Sequence, residues 1–157
     1  MKHSFATPLD LASRASRFII AAISVSLIAG CGNGRPTTVP ISGKVRIDGV
    51  PLANAQIGFY PDGGRPAFGR TDDSGNYRLS CFQADDGALQ GTHRVTVRAV
   101  QPLNPTELKW LAPKRYADPN ESALKVTVNR PSSDVNLELT WDGKQPFVDR
   151  LVSSQGD

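Results

Sequence analysis

Thr71 to Val97, T-D-D-S-G-N-Y-R-L-S-C-F-Q-A-D-D-G-A-L-Q-G-T-H-R-V-T-V, places a turn, a strand, a second turn and another strand in one continuous piece. Asp72-Asp73-Ser74-Gly75 has the residues that tolerate a tight reversal, and Asn76 to Phe82 then alternates polar with apolar as a half-buried strand does. Gln83 to Gly91 carries a second reversal, and Thr92 to Val100 points His93, Val95, Val97 and Ala99 to one side and Arg94, Thr96 and Arg98 to the other.

The same rhythm extends in both directions. Ile41 to Asp48 alternates cleanly, Asp48-Gly49 is a hairpin signal, and Pro51 interrupts any longer ladder. Ala55 to Tyr60 and Ala67 to Thr71 read as strands two and three, and Leu124 to Asn129 and Val135 to Trp141 as the last two. Gln101 to Ser122, with four prolines, reads as a long functional loop in which Thr106 to Leu111 forms a helical turn. The fold class predicted is all-β: one seven-stranded antiparallel β-sandwich over residues 41–141, of transthyretin-like or Ig-like kind, with residues 142–157 as a frayed tail.

Twelve prolines and fourteen glycines in 157 residues favour short strands and turns over a helical bundle. Of the formal charge of +3, the first thirty residues hold +2 (Lys2, Arg14 and Arg17 against Asp10), which leaves +1 for the rest. The basic residues alternate with acids along strands and form no cluster, which excludes a nucleic-acid interface.

Residues 1–30 have a basic start, an apolar run from Phe18 to Ile28 and small residues at Ala29 and Gly30, the order of a secretory signal too short to span a bilayer. Ile28-Ala29-Gly30-Cys31 resembles a bacterial lipobox. That resemblance implies cleavage between Gly30 and Cys31, a diacylglyceryl group on the Cys31 thiol and an acylated new amino terminus, with palmitate among the chains. Two or three chains anchor a protein stably where one does not. Residues 31–40 then form the lipidated cysteine and a flexible tether. Gly32, rather than Asp, after the cysteine favours the outer membrane of the cell envelope by the same resemblance.

Four stretches taken together carry a second resemblance. They are V-R-I-D-G-V-P-L-A-N-A-Q-I-G-F-Y-P at Val45 to Pro61, T-D-D-S-G-N-Y-R-L at Thr71 to Leu79, the run from Asp86 to Val97, and P-K-R-Y-A-D-P at Pro113 to Pro119. In this order they resemble the carboxypeptidase regulatory-like, or transthyretin-like, β-sandwich domains, above all those of small bacterial lipoproteins. The resemblance implies an accessory module and leaves activity open.

Asp72, Ser74 and Asn76 fall at alternate positions like calcium ligands, but the glycine comes too early and no glutamate closes the loop, so turn chemistry accounts for them and no metal is expected. Asp85 and Asp86 are a carboxylate pair in a turn, and His93 is the sole histidine after the leader. A small transthyretin-related hydrolase using His93 with Asp85 or Asp86 is the alternative function, although the several histidines and C-terminal Tyr-Arg-Gly-Ser of that enzyme type are absent. Cys81 shares parity with Tyr77 and Leu79 and reads as a small buried hydrophobe. Trp110, Tyr116 and Trp141 are the candidate binding residues, because aromatic faces suit sugars and partner proteins, against the alternative that Trp110 and Tyr116 pin the long loop onto the sandwich and Trp141 closes the core edge. The function expected is that of a lipid-anchored, non-catalytic module without cofactor, contacting an envelope protein or polysaccharide.

Overall fold

A computed structural model describes residues 34–150, and the chain divides at Arg35 and Pro36, so the fold below is that of the second unit. Gly30, Cys31 and the leader lie outside the described residues, as do residues 151–157 of the expected tail. Among the described residues no helix is long and apolar enough to cross a membrane.

The structure is all-β, with one four-residue 3-10 turn at Lys114–Ala117. Among the described residues there are thirteen short strands, the seven expected and six more: β1 Thr38–Val39, β2 Ser42–Ile47, β3 Val50–Pro51, β4 Gln56–Pro61, β5 Ala67–Arg70, β6 Asn76–Arg78 and β7 Ala88–Leu89; then β8 Gly91–Arg98, β9 Val100–Asn104, β10 Glu107–Trp110, β11 Lys125–Val128, β12 Leu137–Leu139 and β13 Phe147–Arg150. One sheet runs β11-β8-β4-β5. A second has β12 on one edge of β2, with β3 and β6 sharing the other. The apolar side chains of both form one cluster in which Ile57, Phe59, Leu79, Val45, Val95 and Val97 are fully buried, an arrangement consistent with a β-sandwich. Each such side chain contributes about 1.5–3 kcal/mol of hydrophobic stabilisation.

In β2 the burial is as the alternation predicts, whereas on β8 Thr96, expected outward, is buried. Gly43, Val45 and Ile47 of β2 point inward and Ser42, Lys44 and Arg46 outward. The Asp48-Gly49 hairpin has positive φ at both residues, 47° and 80°, and joins Ile47 to Val50 across a two-residue turn.

Four expectations are corrected. The strand pairing is not wholly antiparallel: β12 runs parallel to β2, pairing Leu137 with Val45 and Leu139 with Ile47. The edge of β2 reached by hairpins is already taken by β3 and β6, so the returning chain adds to the free edge in the direction its long connection allows. The long loop is instead a hairpin: β9 continues β8 past Ala99 and β10 folds back on it, so Glu107–Trp110 is strand where a helical turn was expected. The tail is not frayed throughout, because β13 pairs with β10 over Glu107↔Arg150 to Trp110↔Phe147 and completes a three-stranded sheet. The tether ends before Pro40, since Thr38–Val39 pairs with β7 and Val39 is buried.

Candidate functional site

Asp142-Gly143 repeats the Asp-Gly pattern of the first hairpin, with φ of 50° and 76°, and the Lys144 amide donates to the Trp141 carbonyl at 3.0 Å. This reversal takes the chain off the core at Trp141 and lays β13 along β10. The register then puts Phe147 directly across from Trp110, and the two rings stack at 6.4 Å and 12°. An aromatic cross-strand pair of this kind adds about 0.2–1 kcal/mol to the pairing.

The 3-10 turn brings cations to the same place. The Lys114 ammonium stands 5.5 Å from the Trp110 ring centre and 5.6 Å from that of Phe147, and it pairs with Asp149. The ammonium beside it holds the Asp149 carboxyl below its ordinary value. Arg115 lies over Tyr116 at 4.7 Å and donates to the Tyr116 hydroxyl at 3.0 Å and to the Thr140 carbonyl at 3.1 Å. It also pairs with Asp142 at 2.6 Å. The Tyr116 hydroxyl accepts in addition from the Thr140 amide, so this tyrosine fastens the turn to the end of β12.

Between these elements is a cleft of about 320 Å³. Pro113, Trp141 and Phe147 give it apolar walls, and Lys114, Arg115 and Lys144 stand around it. The three candidate aromatics therefore converge on one end of this domain and are largely covered, Trp110, Tyr116 and Trp141 being only 8%, 6% and 8% exposed, with Trp141 alone of the three lining the cleft. Phe147, 39% exposed, is the accessible ring. Phe147, Lys144 and Asp149 escaped the sequence reading because they belong to the expected tail; the Asp142-Gly143 dipeptide was the signal that a strand follows.

A wider basin of about 910 Å³ lies elsewhere, over the outer faces of β2 and β6, and shares no residue with the cleft. Its cations Lys44, Arg46, Arg70 and Arg78 are interleaved with Asp72, Asp85 and Asp134, and Arg46 pairs with Glu138. This is the solvated sheet face that the alternating charges predict, with no apolar floor.

The remaining candidates are held in local networks. The Asp72 carboxylate accepts from the Asn76 side chain and from the backbone amides of Ser74 and Asn76, and the Asn76 side chain foremost keeps its carboxyl below the ordinary value. No group of three or more metal-ligating side chains occurs among the described residues. Asp86 accepts from the amides of Cys81, Phe82 and Gln83 at 2.6, 3.0 and 3.0 Å. Desolvation pushes its carboxyl up, and these amides outweigh that and lower it. Asp85 faces Arg78 at 3.8 Å.

His93 is fully buried against Phe59, its Nε2 2.8 Å from the Leu89 carbonyl oxygen, so neither carboxylate is its partner. Cys81 is buried with its thiol directed to the Arg65 carbonyl; desolvation first, then Asp86, raises its pKa and suppresses the thiolate. No family model, curated protein or solved structure matches the chain.

Proposed function

We propose that the protein is a lipid-anchored, non-catalytic envelope protein whose transthyretin-like β-sandwich holds a polysaccharide or protein partner in the cleft at Trp141 and Phe147. The observation that carries this reading is the placement of an accessible ring, Phe147, beside apolar walls and three cations at one end of the domain. Small-ligand sites are typically apolar concavities with a few placed polar groups. The lipobox sequence around Cys31 supports attachment to the membrane, with the outer membrane favoured, and the domain then works in the aqueous space beside it.

Replacing Trp110 or Tyr116 would disturb packing, so the informative variant is Phe147→Ala. It is expected to keep the circular-dichroism spectrum of the parent while losing retention on immobilised cell-wall polysaccharide or recovery of crosslinked envelope proteins. Unchanged behaviour in both assays removes the cleft as the contact surface.

A further inference from the structure

Resting on the cleft reading above, we infer that its ligand is an acidic glycan, a sugar ring bearing a carboxylate, with the ring against Phe147 and Trp141 and the carboxylate on Lys144. Counting ion pairs around the cleft singles out that lysine. Lys114 is committed to Asp149 and to the two aromatic rings, and Arg115 to Asp142, the Tyr116 hydroxyl and the Thr140 carbonyl. Lys144 is exposed and makes no ion pair among the described residues. Three cations therefore face two carboxylates that are already engaged, and the cleft keeps one uncompensated positive charge next to an apolar wall. An uncharged sugar could accept from that ammonium but would leave its charge uncompensated, whereas a carboxylate makes the stronger charge-assisted contact.

Size and backbone geometry separate a glycan from a peptide. About 320 Å³ is at the small end of the roughly 300–1,000 Å³ of ligand pockets, enough for one ring of a chain that continues into solvent. A peptide that adds as a strand would pair with the open edge of β13, whereas the walls of the cleft come from Pro113, Lys114, Arg115, Trp141, Lys144 and Gln145, outside any strand, with only Phe147 in one. The apolar C–H face of a pyranose matches an aromatic wall, and its hydroxyls reach the water around the open side.

The test is calorimetric titration of the full chain in detergent with trigalacturonate, with the neutral galactotriose, and with an acidic peptide containing Asp and Phe. Trigalacturonate is expected to bind in preference to the other two, and more weakly as salt rises from 50 to 300 mM. Lys144→Gln should weaken it about two- to fivefold, of the size of one exposed ionic contact, with Lys144→Arg restoring it. Phe147→Ala should abolish it. Equal binding of galactotriose, indifferent to Lys144→Gln, overturns the acidic ligand but leaves the cleft as the binding surface. Preference for the peptide overturns the glycan in favour of a protein partner. Binding of any probe unaffected by Phe147→Ala places it outside the cleft, and binding of none overturns the acidic glycan.

Discussion

Single side chains in this domain matter through the backbone groups they satisfy. Asp86 closes the turn before β7 by accepting three amides, so Asp86→Ala should cost about 2 kcal/mol in chemical denaturation. Its carboxyl is lowered from 3.8, so the stability it contributes is complete above that pH and lost as pH falls through the lower folded value. The difference between parent and Asp86→Ala should therefore shrink in acid, and a difference independent of pH would deny the carboxylate its role. Tyr77 gives the opposite sign. Its hydroxyl donates to the Val135 carbonyl at 2.7 Å and desolvation raises the phenol above its usual 10.0. The unfolded phenol ionises above pH 10 while the folded one resists, so stability should fall as pH rises past that point. Tyr77→Phe should cost about 1 kcal/mol near neutrality and flatten the alkaline limb.

At the scale of elements, the decisive piece is the Trp141 to Lys144 reversal, which converts the end of the chain into the third strand of a sheet and creates the cleft. Gly143 has φ of 76°, in the left-handed region. A β-branched side chain there costs roughly 1–3 kcal/mol, so Gly143→Val should loosen β13, which amide exchange at Glu107–Trp110 would register as lost protection. Protection equal to the parent's would mean that β10 holds its place through β9 alone. Ending the chain at Gln145 should uncover Trp110 and shift tryptophan emission to the red. The seven strands legible in the sequence correspond to β2, β4, β5, β6, β8, β11 and β12, because packing on the core imposes alternation, cleanly in β2 and less so in β8, where Thr96 on the outward side is also buried. β9, β10 and β13 were not legible. Their sheet lies at the rim, with most of β9 and β13 exposed, so no clean hydrophobic period marks them.

For the whole molecule, the pairing of β1 with β7 shortens the span between the expected lipid anchor and the folded domain. Residues 32–37 reach at most about 20 Å at full extension. Cys31→Ser should end labelling by radioactive fatty acid and release the protein from the membrane fraction, while labelling that persists would contradict the assignment of Cys31. Sequence by itself determined the all-β class, the inward and outward faces of the long strands, the Asp48-Gly49 hairpin and the turn at Asp72 to Gly75, because each follows from local propensity and a period of two. Only the tertiary structure decided that β12 joins β2 in parallel, that Trp110 and Tyr116 lie behind the cleft while Trp141 walls it, and that Phe147 and Lys144 stand at the cleft. Those depend on which distant edges remain open once the hairpins have closed, and on the shape left over at the rim, neither of which is written in the neighbours of any one residue.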